Sequence, residues 1–339
     1  MLKVGIIGLG DVSFIHLMAV RQLPYAQLVA ACDIDESKSE LVPEATFYTD
    51  YLEMLANEQL DCVHICLPHH LHYPVARECI ERNIHVFTEK PLAANLQQAR
   101  GFVNLEKENK NVKIGVCFQN RYNNTFKTLQ KFVRSGEYGK LVGVKGIVSW
   151  FRPKSYYDVK PWRGILELSG GGVMINQAIH TMDLMQLLGG PIHEIRGTIS
   201  NLLDYGYEVE DTATARITFE NGATGLFYAT IANSVNSSVE LDVVLEKGRF
   251  MIKENRLLKI NNDDHIEVII EDEKLPGSKS YYGASHCRAI EKFYNCIIED
   301  KDDYIHASDG LITMKMIDAI VRSSQLNAAV ELDHYEYVK

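Results

Sequence analysis

The first 118 residues alternate between short apolar runs and stretches with helical periodicity, and no other feature narrows the possible folds as much. Residues 2–8, 28–33, 62–67, 85–88 and 113–117 have the length and apolar continuity of strands buried on both faces. Between them, residues 14–23, 51–55, 74–82 and 96–108 space their apolar side chains as helices do. Strands that alternate with helices build a parallel sheet with right-handed crossovers, and ligands bind such a sheet outside the carboxyl ends of its strands.

From about residue 120 the rhythm changes. After a helix at 126–134, stretches at 141–151, 192–202, 212–219, 223–232, 239–246 and 267–270 alternate with period two. Asn221 and Gly222, between two of these stretches, predict a type I′ hairpin turn. Helices at 287–298 and 310–323 close the chain. This half reads as an α+β domain with an open, mainly antiparallel sheet and helices on one face. A chain of 339 residues suits two domains, with the change of period setting the boundary at 118/119.

Composition removes several function classes. A net charge of −10 with scattered basic residues argues against a nucleic-acid partner. No apolar stretch reaches membrane-spanning length and the chain opens directly on a strand, so a cytoplasmic protein is expected. The seven cysteines form no Cys-x-x-Cys pair and read as buried, reduced thiols, and no metal site is expected.

Directly after the first strand stands Gly8-Leu9-Gly10-Asp11-Val12-Ser13, a Gly-x-Gly-x-x-Gly pattern with serine in the third place. Gly8 permits the tight turn and Gly10 lets the backbone approach a pyrophosphate, with Asp11 and Val12 leading into the helix. A small residue such as Ser13 still allows close helix packing. Strand, glycine loop and helix in this order mark a dinucleotide site, which makes the first 118 residues an α/β Rossmann domain with a parallel sheet. The second strand ends at Asp33, whose carboxylate can accept bonds from both hydroxyls of an adenosine ribose. That favours NAD, while Lys38 nearby keeps NADP open.

Two segments carry candidate chemistry. Glu89-Lys90-Pro91 follows the strand at 85–88, so Lys90 stands at the ligand-binding edge, where an ammonium can stabilise a developing alkoxide. In the second, the glycines at 170, 171 and 172 lead into Val173-Met174-Ile175-Asn176-Gln177-Ala178-Ile179-His180-Thr181-Met182-Asp183. Helical spacing would set Asn176, His180 and Asp183 on one face, with His180 titrating near ~6.5 as an acid/base group and Asp183 orienting its ring. The Trp162-Arg163-Gly164 loop offers an indole to stack on a sugar and a guanidinium to grip hydroxyls or a carboxylate.

Taken together, GLGDVSFIH, PHHLH at 68–72, EKPL at 89–92, FQNRYN at 118–123 and GGGVMINQAIHTMD resemble the glucose-fructose oxidoreductase, inositol dehydrogenase and rhizopine catabolism (Gfo/Idh/MocA) family. The resemblance runs over nearly the whole chain. It implies nicotinamide at the carboxyl edge of the Rossmann sheet and substrate against the second domain's sheet. Lys90 would bind the reacting hydroxyl and His180 would be the acid/base. Pro68, His70, Glu89, Lys90 and Asn120 would lie along the cofactor, and Arg121, Trp162, Arg163 and Asn176 would face substrate. Many family members carry aspartate where this chain has Asn176, and an amide cannot transfer a proton. His286 is a further candidate near the pocket.

The expectation is therefore an NAD(P)-dependent oxidoreductase that moves hydride between nicotinamide and a carbinol of a sugar, polyol or sugar derivative, assembled as a homodimer or homotetramer. Two rivals stand beside it: a redox-neutral lyase or glycosidase using retained NAD, and a non-catalytic NAD-binding sensor.

Overall fold

A computed structural model describes residues 1–261, 265–273 and 285–332. The chain divides into two compact units, Met1–Gln119 with Leu275–Leu311, and Asn120–Lys274 with Ile312–Lys339.

The first unit is built on six parallel strands, β1 (Leu2–Ile7), β2 (Ala26–Cys32), β3 (Thr46–Tyr48), β4 (Cys62–Ile65), β5 (His85–Glu89) and β6 (Ile114–Cys117), in the order β3-β2-β1-β4-β5-β6. Val4, Ile6, Val63, Ile65, Val86 and Ile114 are wholly buried, which accounts for the continuous apolar runs. The chain moves outward from β1 to β3, then returns to place β4 on the other side of β1. The carboxyl ends of β1, β4 and β5 thus lie side by side at a topological switch point. The helix Ser285–Ile298 also belongs to this unit, and its Phe293 ring packs 5.2 Å from Phe87. Gly115 leaves the room, since a Cβ there would meet Phe293 at 2.7 Å. Strand β3 and a 3-10 turn at Glu36–Leu41 were not foreseen; both are too short for periodicity to mark.

The second unit carries a mixed, mainly antiparallel nine-stranded sheet. Its strands are β7 (Leu141–Ser149), β8 (Ile192–Ser200), β9 (Thr212–Phe219), β10 (Thr224–Thr230), β11 (Glu240–Leu245), β12 (Gly248–Lys253), β13 (Arg256–Ile260), β14 (Ile266–Glu271) and β15 (Val330–Glu331). The order is β14-β13-β12-β11-β7-β10-β9-β8-β15, with β7 and β10 the one parallel pair. Period two is visible as burial: Ala213, Ala215, Ile217, Phe227, Ala229, Leu241 and Val243 point to the core, while Thr214, Arg216, Leu226 and Val244 point outward. The helix Ile179–Gly189 lies directly on β7, where a Cβ at Gly146 would stand 2.6 Å from Thr181.

The hairpin at Asn221-Gly222 is not type I′. Only Gly222 has positive φ (86°), Gly222 N donates to Phe219 O, and Phe219 N donates to Ala223 O. This is a type I turn with a glycine bulge, a loop one residue longer than the predicted turn. The two-residue type I′ geometry occurs instead between β12 and β13, where Glu254 (φ 53°) and Asn255 (φ 59°) join the paired Lys253 and Arg256.

Candidate active site

In the first unit the glycine loop is formed as its sequence requires. Gly8 has φ 92°, and a Cβ there would lie 2.5 Å from the Cys66 carbonyl, so both conformation and space exclude a side chain. The helix Ser13–Gln22 starts without a side-chain cap and without an acidic residue in its first turn. That leaves its N-terminus suited to a pyrophosphate. Gly10 and Asp11 are exposed and Val12 half-buried, whereas Ser13 is buried and its Oγ donates to Gly10 O at 2.7 Å. Asp33 follows β2, and its two oxygens accept from Leu9 N (2.7 Å) and Asp35 N (3.0 Å). The ribose-binding candidate is thereby tied to the glycine loop itself.

Pro68 opens the 3-10 turn His69–Leu71 after β4, and His70 is half-buried on it. His72 bridges Leu67 O and Pro91 O, both at 2.8 Å, and so ties this turn to the Lys90-Pro91 segment after β5. Lys90 is half-buried at that edge.

Glu89, expected along the cofactor, is 5% exposed and engages a buried chain of rings. Its Oε1 pairs with His16 Nε2 at 3.0 Å and lies 3.7 Å from His286 Nε2. His16 Nδ1 meets His64 Nδ1 at 2.8 Å, and His64 Nε2 meets the Tyr294 hydroxyl at 2.7 Å. Burial alone would push His16 down; the Cys66 thiol and the Glu89 carboxylate outweigh it and raise the ring to about 10. Burial works against the charge on Glu89 too, and the bond from His16 overrides it, holding the carboxyl below its usual range. Burial and the charge on His16 push His64 well down. A charged His16 donates from both nitrogens, and a neutral His64 accepts at Nδ1 and donates to Tyr294, so every contact has one donor and one acceptor. One ligand atom each of His16, Glu89 and Cys117 falls within 4.8 Å of the others, a grouping that could ligate a metal. Hydrogen bonds already account for His16 and Glu89 in it. His286, a pocket candidate from the sequence, is 1% exposed within this network. All seven cysteines are free thiols, and six are buried.

In the second unit Asn120 and Arg121 lie on the 3-10 turn Gln119–Tyr122. Arg121 grips Asp183 with two bonds, Nη2 to Oδ1 at 2.6 Å and Nε to Oδ2 at 2.8 Å. Asp183, expected to orient His180, thus has both oxygens on a guanidinium. Residues Met174–Ala178 form a π-helical turn before the α-helix that begins at Ile179. Asn176 sits in the π turn and His180 in the α-helix. The two thus stand four residues apart across the junction between the π turn and the α-helix. Asn176 Nδ2 reaches Gly171 O and Gly172 O at 3.4 and 3.3 Å.

A residue the sequence did not single out anchors this segment. Glu210, buried, accepts from Gly172 N (2.8 Å) and Met174 N (3.1 Å), and a Cβ on Gly172 would lie 1.8 Å from the Glu210 carbonyl. The glycines serve this close approach: Gly170 and Gly171 have φ of 77° and 148°, and Gly172 touches the backbone opposite. Trp162 and Arg163 lie on the turn Pro161–Gly164, where the Arg163 guanidinium stacks 4.1 Å from the centre of the Tyr156 ring. The Tyr156 hydroxyl accepts from Gln177 Nε2 at 3.0 Å, which joins that turn to the π-helical segment.

A glycine loop at the start of a switch-point sheet, an acid after β2 tied to that loop and a lysine on the same sheet edge are the arrangement of an NAD(P)-dependent oxidoreductase. The comparisons carry this further. A family model described as oxidoreductase family, NAD-binding Rossmann fold, matches residues 2–118, and the GFO/IDH/MocA C-terminal domain matches residues 126–251. The chain belongs to the Gfo/Idh/MocA oxidoreductase family. It is 26% identical to D-glucoside 3-dehydrogenase of Escherichia coli, over 98% of this chain and 97% of that protein. With myo-inositol 2-dehydrogenase of Thermotoga maritima it shares 23% identity, over 98% and 99%. Among solved structures, the WlbA dehydrogenase of Bordetella pertussis in complex with NADH and UDP-GlcNAcA is 27% identical, covers 98% of this chain and 99% of its own, and superposes with a TM-score of 0.86.

Proposed function

We propose that the chain oxidises, with NAD, a secondary hydroxyl of a sugar, polyol or sugar derivative, with Lys90 binding the reacting oxygen and His180 receiving its proton. The observation that carries this reading is the position of Lys90: it directly follows β5, on the sheet edge that also bears the glycine loop after β1. An ammonium there would stabilise the alkoxide character of the carbinol oxygen, and bound NAD would supply the hydride acceptor. His180 supplies an imidazole as the base, and Asn176 can orient a hydroxyl. The names of the relatives, dehydrogenases of inositol and of a glucoside, support the substrate class.

Gly8, Gly10, Asp11 and Val12 would hold the pyrophosphate, Asp33 the ribose, and Pro68, His70, Glu89 and Asn120 the remainder of the cofactor. For Glu89 this role passes through the backbone, because its carboxylate is engaged by His16. Arg121, Trp162 and Arg163 complete the substrate set. We also infer a cytoplasmic homo-oligomer joined through the outward face of the second unit's sheet.

The test follows NADH absorbance while the protein and NAD are offered inositols, aldoses, amino sugars and sugar acids. Lys90→Met and His180→Asn are each expected to lower turnover by about a hundredfold or more while NAD affinity stays within a few-fold. Wild-type rates in both variants would remove them from the mechanism.

A further inference from the structure

The chain has two tryptophans, Trp150 and Trp162, and both stand at the ends of one stacked array in the second unit. The Arg152 guanidinium lies 4.9 Å from the Trp150 ring and 5.7 Å from the Tyr156 ring. The Arg163 guanidinium lies 4.1 Å from the same Tyr156 ring and 5.8 Å from the Trp162 ring. Two cations thus share one tyrosine ring, with an indole beyond each. Gathering like charges costs energy, and a protein with net charge −10 has acidic residues enough to neutralise them.

Arg152 is not neutralised. Its Nη1 donates to Phe151 O (2.8 Å) and Asn236 Oδ1 (3.0 Å), both uncharged, and among the described residues it has no carboxylate partner. Asp158, at the end of the short helix Ser155–Asp158, accepts from the Tyr207 hydroxyl at 2.6 Å. Stacking occupies the faces of a guanidinium and leaves in-plane N–H groups to grip planar or tetrahedral oxyanions. The indoles supply apolar faces on which a pyranose ring can lie. Gln177, bonded to the Tyr156 hydroxyl, places the array beside Asn176 on the π-helical turn.

We propose that Trp150, Arg152, Tyr156, Trp162 and Arg163 form an anion-accepting sugar site, so that the substrate is a sugar bearing a negative group, a carboxylate or a phosphate ester. This rests on the sugar-dehydrogenase reading and narrows it. Because the protein's only tryptophans flank the site, their fluorescence reports its occupancy without any turnover.

The NAD-loaded protein is titrated with D-glucuronate, D-glucose 1-phosphate and neutral D-glucose while tryptophan emission is recorded. At least one anion is expected to half-saturate the signal about tenfold below glucose, an advantage that shrinks with added salt. Whichever anion does so separates carboxylate from phosphate. Arg152→Met and Arg163→Met should bring the anion-to-glucose ratio close to one, and Arg152→Lys, which keeps the charge, should retain part of it. Glucose matching both anions, no response to any probe, or a ratio unchanged in both methionine variants would overturn the site. NADH formation is read in the same samples. Selective anion binding with no NADH from any sugar rejects the dehydrogenase reading and leaves the anion site standing.

Discussion

His16 and Glu89 show how much a single pair of residues is asked to do. Both are buried in the first unit and each is the other's charge partner, so removing one strands the other in a low-dielectric interior. Breaking such a pair costs about 3–5 kcal/mol, far more than a surface ion pair contributes. His16→Gln is therefore expected to destabilise the first unit by about that amount in denaturant unfolding. The pH dependence has a definite sign. The folded ring titrates at about 10 against 6.5 when unfolded, so its contribution is complete below pH 6.5 and is lost as pH rises through 10. Glu89, depressed in the fold, contributes fully above its ordinary 4.5 and loses this as pH falls through its lower folded value. Wild-type stability should decline between pH 6.5 and 10, and the decline should be largely absent in His16→Gln; parallel profiles for the two proteins would mean that His16 is neutral in the fold. Asp33→Ser removes a carboxylate that would repel a 2′-phosphate and also releases Leu9 N. The expected result is a shift in kcat/KM of about tenfold toward NADP relative to NAD. An unchanged ratio would exclude Asp33 from cofactor selection.

Among the elements, the glycine triplet and Glu210 form one device. Gly172 has room for no Cβ because the Glu210 carbonyl lies where it would be, and the Glu210 carboxylate accepts from Gly172 N and from Met174 N, the first residue of the π-helical turn that carries Asn176. Gly172→Ala must push the two segments apart, so both stability and turnover should fall, with kcat reduced by up to about a hundredfold, the size of loss that a 1 Å misplacement can produce. Wild-type kinetics in that variant would show the contact to be slack. The triplet itself was legible in the sequence, since three consecutive glycines before a helix signal a close approach. Its partner was not, because Glu210 lies 38 residues on in a loop and only the fold brings it there. The parallel strands were legible for the same reason that they are stable: burial on both faces demands unbroken apolar runs. Strands β12 and β13 escaped notice because Lys253, Glu254, Arg256 and Lys259 interrupt their apolar residues. Asn-Gly suggested a type I′ turn that the structure forms instead at Glu254-Asn255, since the residue count of each loop, more than its best turn former, selects the geometry. The π turn at Met174–Ala178 left no mark in the sequence.

At the scale of the whole molecule, what remains to be explained is the outward face of the nine-stranded sheet. One row across it reads Asp242, Lys145, Leu226, Arg216 and Arg196, residue opposite residue on five adjacent strands. Asp242 is buried by Lys145 and Arg249, which hold it below its ordinary carboxylate range. Leu226 is 56% exposed in the middle of the row, and Val244 on β11 is 38% exposed. Two exposed apolar side chains among mixed charges motivate the inference that this face meets a copy of itself across a two-fold axis. Leu226→Glu separates association from folding, because within one chain the new carboxylate falls between Lys145 and Arg216 and is accommodated. Against an apolar patch on a second copy it would be buried at a cost of several kcal/mol. Light scattering on the wild-type protein should therefore give a dimer or tetramer, and Leu226→Glu should shift it toward monomer with its far-UV circular dichroism intact. A wild-type monomer at micromolar concentration would assign the face to solvent, and an oligomer indifferent to Leu226→Glu would move the interface to another surface of the chain.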